Sequence, residues 1–280
     1  KILNKLKQKT IPLKELFEPS RGNSFWSIWS MKHGKRPDTG ANNFFYLKRD
    51  DVEIWDLKEY VIPALISTRY VKFFIFSERD WKELESRGVR CYSFICHRPK
   101  DRLPENVLEY IKWGETECKT RASGTSKISG GGKICSQTLA CQEREKIRDV
   151  FYGWYDLGGV KPVPLISTRY SQYKTRFIWC KFPAMIDEDI ITFIPRFNFN
   201  ETQLKTLLAY LNSSLIQLFM ESQGRTTGLG AIALESKLAQ DLPVLDVRVL
   251  GQKDLESLAF LFDELELEAR RLGGADTREN

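Results

Sequence analysis

The hexapeptide LISTRY occurs twice in this chain, at residues 65–70 and again at residues 165–170. The two copies lie 100 residues apart, and at the same displacement an Asp-Leu dipeptide recurs at 56–57 and 156–157. Self-similarity at a fixed displacement is typical of a duplicated structural unit. We therefore predict two similar units, each built around a Leu-Ile-Ser-Thr strand.

Secondary-structure signals in the two copies predict an α+β fold. Runs of β-branched and aromatic residues predict further strands at 73–76, 91–96, 177–180 and 190–195. Asn200 begins the clearest predicted helix, because it can cap the N-terminus together with Gln203. The apolar face of this helix is formed by Leu204, Leu207, Leu208, Leu211, Leu215 and Leu218. We predict two mixed sheet-plus-helix units, related by internal duplication, and a C-terminal helix.

The repeat and the composition divide the chain into five predicted segments. These are a connecting segment at 1–50, a first recognition repeat at 51–121, a Gly/Ser-rich basic linker with a helix at 122–150, a second recognition repeat at 151–250, and an acidic helix and tail at 251–280. The last segment has an apolar seam that either packs within the chain or docks on another subunit or domain. The seam consists of Leu255, Leu258, Phe262, Leu265, Ala269 and Leu272.

The composition is that of a basic globular protein. With 280 residues, 42% of them apolar, the chain can bury a core. No apolar run approaches the ~20 residues of a membrane span and no leader peptide opens the chain, so we expect a cytoplasmic protein without a membrane partner. Because the chain begins with Lys1 and not Met, we expect it to be a segment of a longer protein. The net charge of +6 favours an acidic partner.

The cysteines and histidines offer little material for a metal site. The six cysteines include no C-x-x-C pair, and there are only two histidines. Structural zinc sites usually take their ligands in close pairs. We expect free thiols and no cofactor in this chain, with a metal held by Cys118, Cys135 and Cys141 as the alternative.

Familiar catalytic motifs are absent from the sequence. It contains no G-x-G-x-x-G after a predicted strand, no P-loop, no H-E-x-x-H and no nucleophile elbow. We therefore predict no catalytic residue in this chain. A nuclease is the alternative, because the acidic and basic residue types that hold magnesium beside a phosphate occur at 37–38 and 117–119, although far apart in the chain.

Two basic stretches, 118–142 and 157–186, contain no acidic residue at all. Lysine and arginine neutralise phosphates, and much of the affinity of proteins for DNA comes from such contacts. Arginine suits guanine and glutamine suits adenine, so polar side chains interleaved with aromatic ones are candidates for base reading. The predicted DNA-binding residues are Lys119, Arg121, Lys127, Lys133, Arg169, Tyr170, Gln172, Tyr173, Lys174, Arg176 and Arg225.

Two of these assignments have a structural alternative. The Gly/Ser-rich stretch 122–133 is either a linker or a phosphate-contacting loop that orders on DNA. The hexapeptide arginines, Arg69 and Arg169, either stabilise a turn or strand end or read bases.

Four strings occur in an order that resembles one family. They are DTGANNFFYL at 38–47, WYDL at 154–157, YLNSSL at 210–215 and LPVL at 242–245. Together they resemble the C-terminal target-recognition region of N6-adenine DNA methyltransferases, the TaqI-like and type IIG restriction-modification proteins. The resemblance implies a module that recognises a sequence in double-stranded DNA. A separate N-terminal methyltransferase domain of the same protein would bind S-adenosylmethionine, flip an adenine and methylate it.

The catalytic motif of that family has no counterpart in this chain. The family carries an Asn-Pro-Pro-aromatic motif, whereas no Asn here is followed by Pro. The resemblance therefore implies DNA recognition without catalysis by this chain itself. Two alternatives stay open, namely a nuclease or other enzyme acting on nucleic acid, and a protein-interaction module that uses the acidic C-terminal seam.

Overall fold

A computed structural model describes residues 10–22, 41–120, 132–158, 163–171, 174–187, 189–226 and 231–274. The chain divides into two compact units. Unit 1 comprises residues 1–22, 66–80 and 162–280, and unit 2 comprises residues 23–65 and 81–161. This division is by packing, and it cuts across the contiguous segments expected from the sequence.

The elements are short strands and mostly short helices, which confirms the predicted α+β class. The strands are β1 Ile11–Pro12, β2 Phe17–Arg21, β3 Tyr46–Leu47, β4 Val61–Leu65, β5 Ile75–Phe76, β6 Tyr92–Phe94, β7 Leu165–Thr168, β8 Tyr170–Ser171, β9 Phe177–Cys180, β10 Met185–Ile186, β11 Ile190–Pro195, β12 Arg225–Thr226, β13 Ile232–Ala233 and β14 Pro243–Val244. The helices are α1 Asn42–Phe45, α2 Arg49–Ile54, α3 Glu78–Ser86, α4 Glu105–Thr116, α5 Leu139–Lys146, α6 Glu201–Leu211, α7 Ser214–Gln223, α8 Ser236–Gln240 and α9 Gln252–Arg271. Within the described ranges, no helix combines the length and the apolar character needed to cross a membrane.

Unit 1 is built on a five-stranded sheet with strand order β2-β11-β7-β9-β5. Neighbouring strands are antiparallel except β5 and β9, which are parallel. The strand β7 is the Leu-Ile-Ser-Thr stretch of the second hexapeptide, and all four of its residues are buried. A strand covered on both faces is buried along its whole length, so the hydroxyl groups of Ser167 and Thr168 need hydrogen-bond partners within the protein.

The predicted helix after Asn200 is confirmed, although it is shorter than its apolar pattern. Asn200 and Gln203 form the expected capping box, in which Asn200 Oδ1 accepts from the Gln203 N–H at 2.8 Å. The helix α6 ends at Leu211, and α7 begins at Ser214. Because of this break, Leu215 and Leu218 leave the apolar face and are partly exposed.

Unit 2 has an aromatic core in which strands β4, β6 and β3 are neighbours in that order. Phe44 lies at its centre, with ring centroids 4.6 Å from Tyr110 and 4.5 Å from Trp154. Gly114 permits this packing, because a Cβ at that position would lie 2.6 Å from the rings of Phe44 and Trp154. Phe44 and Trp154 belong to two of the family-like strings, so these strings build the core of unit 2.

The string WYDL also closes a loop through its acidic residue. Asp156 is fully buried, and its carboxylate accepts from the backbone N–H groups of Tyr152 at 3.0 Å and Gly158 at 2.7 Å. The same carboxylate lies 2.7 Å from Nδ1 of His97. These contacts satisfy the buried carboxylate, so Asp156 acts as a local anchor for the loop.

The predicted internal duplication is not confirmed. In the second copy Leu165–Thr168 is the strand β7, which pairs with β9 and β11 in unit 1. In the first copy β4 ends at Leu65 and pairs with β6 in unit 2, and Thr68–Tyr70 is a 3-10 turn that belongs to unit 1. The two hexapeptides therefore differ in secondary structure and in strand partners.

The C-terminal helix α9 packs within unit 1. This is one of the two arrangements that the sequence predicted for its apolar seam. Leu255, Phe262 and Ala269 of its apolar seam are buried. Glu266, also buried, accepts from the backbone N–H groups of Phe74 at 2.8 Å and Ile75 at 3.2 Å. Burial raises the pKa of Glu266, although the positive charge of the neighbouring Arg270 acts in the opposite direction.

An ion-pair network completes the attachment of α9. Arg270 Nε donates to Glu266 at 2.6 Å, and both Nη atoms of Arg270 lie 3.1 Å from the carboxylate of Asp80. Burial opposes ionisation of Asp80, but hydrogen bonds from Arg270 and Ser77 outweigh it and lower the pKa of Asp80. The helix is thus joined to residues 66–80 by charged hydrogen bonds as well as by apolar contacts.

Replacing Glu266 with Ala is expected to lower the free energy of unfolding by about 2–4 kcal/mol, because two buried N–H groups and Arg270 lose their acceptor. Chemical denaturation of the purified chain measures this change. The matched control is Glu268→Ala on the same helix, whose side chain is 52% exposed and which should change stability by less than about 0.5 kcal/mol. Equal effects of the two substitutions would contradict the anchoring role of Glu266.

Candidate nucleic-acid interface

A small three-stranded sheet in unit 1 brings Arg225 together with β8 of the basic stretch 157–186, although the two are distant in the sequence. Its strand order is β12-β13-β8. Tyr170 is paired with Ala233, and Ala233 is paired with Arg225 on its other side. Directly paired residues point to the same face of a sheet, and adjacent strands lie about 4.8 Å apart. Tyr170 and Arg225 therefore share one face at a backbone separation of about 10 Å, with a small alanine between them.

The large side chains on this face are open to solvent. Tyr170 is 42% exposed, and the Arg225 side chain is 68% exposed. Arg225 Nη2 lies 3.0 Å from a carboxylate oxygen of Glu235. Exposed ion pairs of this kind contribute little free energy, so Arg225 can exchange Glu235 for a phosphate at small cost. Lys174, four residues beyond Tyr170, is also exposed.

Arg169, the arginine of the second hexapeptide, packs against the ring of Tyr170. Arg169 is 8% exposed, and its guanidinium carbon lies 4.9 Å from the centre of the Tyr170 ring. Its Nη1 is 3.6 Å from the carboxylate of Asp189, and its carbonyl accepts from the Leu234 N–H at 2.8 Å. This geometry favours the structural alternative for Arg169, since a buried guanidinium stacked on Tyr170 orients the ring instead of facing a ligand.

The first hexapeptide repeats this local contact on a more exposed turn. The guanidinium carbon of Arg69 lies 4.8 Å from the centre of the Tyr70 ring. Arg69 Nη2 also donates to the Tyr70 hydroxyl at 2.8 Å. The contact between the guanidinium and the tyrosine ring is therefore similar in both copies, although Arg169 is buried and Arg69 is exposed.

Arg176 is directed into the protein and away from the exposed face. It is 6% exposed, and its Nη1 donates to the carbonyl of Val71 at 2.7 Å. Its backbone N–H donates to Thr168 Oγ1 at 3.1 Å, and its carbonyl accepts from Ser167 Oγ at 2.8 Å. In this conformation Arg176 is largely buried and stabilises the fold, whereas Lys174, two residues earlier, is exposed.

Two amide side chains hold the backbone between Lys174 and β9. Gln217 accepts from the Thr175 N–H at 3.1 Å and donates to the Thr175 carbonyl at 2.7 Å. Asn212 accepts from the Phe177 N–H at 3.0 Å and donates to the Phe177 carbonyl at 2.9 Å. The strand β5 pairs only with residues 179 and 180, so these amides take the place of a strand along the remaining edge. We call Asn212 and Gln217 the amide clamp.

In unit 2 the structure brings Lys119 and Lys133 together at the two ends of the basic Gly/Ser-rich stretch. Both are exposed. The Thr120 N–H donates to the Lys133 carbonyl at 2.8 Å, and Lys119 and Ile134 form an antiparallel bridge. The remaining predicted DNA-binding residues, Arg121, Lys127, Gln172 and Tyr173, lie outside the described residues.

The cysteines are all free and buried. Burial raises the pKa of the Cys96 thiol to about 11 and that of Cys91 and Cys180 to about 12. Within the part of the chain that the structure describes, no group of three or more His, Cys, Asp or Glu residues is placed to hold a metal ion. Cys118 and Cys135 do meet, since the Cys135 N–H donates to the Cys118 carbonyl at 2.8 Å.

Comparisons with known proteins confirm the resemblance stated from the sequence. Residues 13–124 match the family model of the C-terminal domain of the type II methyltransferase M.Eco57I. Over 235 residues the chain is 21% identical to the type II methyltransferase M.AccI of Acinetobacter calcoaceticus. That alignment covers 81% of this chain and 37% of M.AccI.

The fold also resembles a solved structure. The type IIG restriction endonuclease BpuSI superposes with a TM-score of 0.56 at 15% sequence identity, over 94% of this chain and 27% of that chain. At this identity the likeness concerns the fold alone. The chain is thus similar to the C-terminal domain of type II methyltransferases, and it spans little more than a third of the curated relative that it matches.

Asn212→Ala is expected to speed the hydrogen exchange of the Phe177 amide by about tenfold or more, because the side-chain acceptor of a part-buried N–H is removed. Gln217→Ala should do the same for Thr175 and leave Phe177 little changed. Amide exchange followed by NMR measures both positions in each variant, so each substitution is the control for the other. Unchanged exchange at both amides would show that the amide clamp does not hold this edge.

Proposed function

We propose that this chain is the recognition region of a restriction-modification methyltransferase and that it binds a specific sequence in double-stranded DNA. The observation that carries the proposal is the exposed face of the small sheet, where Tyr170 and Arg225 lie on two strands with Ala233 between them. Lys174, which is also exposed, follows β8 in the sequence. The relation to C-terminal domains of type II methyltransferases supports it independently.

The chemistry of this face suits a DNA backbone and its grooves. Exposed lysines and arginines release counterions from DNA when they neutralise phosphates. The stretch 157–186, which contributes β8 and Lys174, has no acidic residue. Arg225 provides a guanidinium long enough to reach a base edge, and a guanidinium pairs with the O6 and N7 acceptors of guanine. Gln172 and Tyr173 follow β8 directly in the sequence and stay candidates for base reading.

The rest of the parent protein is part of the same proposal. The matched relative and the matched structure are both much longer than this chain. We infer an N-terminal methyltransferase domain that holds S-adenosylmethionine and transfers its methyl group to N6 of a flipped adenine. This chain would supply the DNA site, and the catalytic domain would supply the chemistry. A protein of this kind works in the cytoplasm, where its DNA substrate lies.

One observation favours the alternative of a protein-interaction module. Phe260, Leu261 and Leu267 on the acidic helix α9 are 61%, 57% and 64% exposed. Exposed apolar side chains on one helix are compatible with docking on another protein or domain. The two functions are separable, because removing charge at Lys174 should weaken DNA binding and leave such docking intact.

Lys174→Gln and Arg225→Gln are each expected to reduce the salt dependence of duplex DNA binding. Every lost phosphate contact lowers the slope of log K against log salt concentration by about 0.9. Fluorescence anisotropy of a labelled duplex at several salt concentrations measures this slope. Lys253→Gln on the acidic helix removes the same charge from another exposed position and should leave the slope unchanged. Equal slopes for all three variants and the unmodified chain would contradict this interface.

A further inference from the structure

Unit 2 contains a cavity of about 290 Å³ that neither the fold nor the proposed DNA face explains. Its walls include Asn43, Trp55, Arg90, Tyr110, Trp113 and Lys119. Its volume lies just below the range typical of small-molecule pockets, which is about 300–1,000 Å³. It can therefore accept a ligand the size of one nucleobase or nucleoside.

The aromatic side of this cavity is a preformed stacking surface. The ring centroids of Trp55 and Tyr110 are 5.4 Å apart, and those of Tyr110 and Trp113 are 5.5 Å apart. Tyr110 is 1% exposed, and its hydroxyl donates to the carbonyl of Phe44, which fixes the ring. Trp55 and Trp113 are only partly buried, and their indole N–H groups form no hydrogen bond with the residues that the structure describes. Three aromatic side chains thus line the same space.

The polar side is held in place by side-chain hydrogen bonds. Arg90 Nη1 donates to the amide oxygen of Asn43 at 2.7 Å, and the Asn43 amide nitrogen donates to the Lys119 carbonyl at 2.7 Å. The carboxylates of Asp51 and Glu117 also line the cavity. The walls therefore offer fixed donors and acceptors within a small space, an arrangement typical of a specific ligand site.

The cavity lies next to a basic part of the surface that is a candidate for phosphate binding. Lys119 lies on its wall and is one of the two exposed lysines at the ends of the basic Gly/Ser-rich stretch. A phosphate held by Lys119 would place the attached sugar and base within reach of the aromatic wall. Stacking of a base on tryptophan or tyrosine is a strong and general mode of binding unpaired nucleotides.

We propose that this cavity binds one unpaired nucleobase of a nucleic acid strand, stacked on Trp55 with the tilted ring of Trp113 at its side. Arg90 and the indole N–H groups donate to ring nitrogens and carbonyls of the base, and Asp51 and Glu117 accept from its exocyclic amino group. Adenine, cytosine and guanine have such an amino group and thymine does not, so thymine binds least well. The inference rests on the proposed function, because the base is delivered by a DNA that this chain holds.

The test compares a fully paired DNA duplex with the same duplex carrying one bulged adenine. The bulged duplex is expected to bind about tenfold more tightly, from the stacking of one base. Trp55→Ala should abolish this preference, whereas Trp55→Phe should retain most of it because phenylalanine still stacks. Ile54→Ala is the matched control, since Ile54 is the preceding residue and is 77% exposed. Thermal melting verifies that each variant is folded.

The outcomes separate this inference from the proposed function. Equal and measurable affinity for paired and bulged duplexes, or a preference that survives in folded Trp55→Ala, overturns the nucleobase site and leaves DNA recognition standing. Failure to bind either duplex contradicts the proposed function. A single-stranded oligoadenylate then decides the site, because binding lost in Trp55→Ala supports it and absence of binding overturns it.

Discussion

The buried strand Leu165–Thr168 is the constraint on which unit 1 depends. Its leucine and isoleucine are buried in the core. Its serine and threonine form hydrogen bonds with backbone groups of the segment that follows the strand. Ser167 donates to the carbonyl of Arg176, and Thr168 accepts from the Arg176 N–H and contacts the Ser171 hydroxyl at 2.9 Å. Buried hydroxyls without these partners would cost free energy comparable to a lost hydrogen bond. These hydrogen bonds hold the two ends of the segment that connects β7 to β9, and Tyr170 and Lys174 belong to this segment.

Local sequence signals predicted the elements whose causes are local. The capping box at Asn200, the Leu-Ile-Ser-Thr strand of the second copy and the burial of Leu255, Phe262 and Ala269 in the α9 seam are confirmed, because capping, burial and helical periodicity depend on residues within one or two turns. The predicted DNA-binding residues are harder to sort into exposed and buried ones. Arg176 lies inside because a carbonyl at Val71, 105 residues earlier, accepts its guanidinium. No pattern near Arg176 distinguishes it from Lys174, which is exposed.

Most residues of the family-like strings whose contacts the structure describes stabilise the fold. Phe44 and Trp154 build the aromatic core of unit 2, Asp156 anchors a loop, and Asn212 belongs to the amide clamp. The strings therefore identify the fold well and identify contacts with DNA poorly. Recognition is expected in the residues between them, such as Tyr170 and Arg225, whose meeting on one small sheet could not be inferred from their separation in the sequence. The internal duplication is not confirmed for a related reason, since identical hexapeptides adopt different pairings in different surroundings.

The most direct measurement of sequence-specific recognition is selection of bound duplexes from a random DNA pool by this chain, followed by sequencing over several rounds. Specific base contacts discriminate against wrong bases by about 1–3 kcal/mol each, so one short sequence should come to dominate the bound pool. The account predicts this enrichment at a salt concentration that suppresses non-specific binding. A bound pool as random as the starting pool would contradict it and would reduce the basic surface to a general affinity for polyanions.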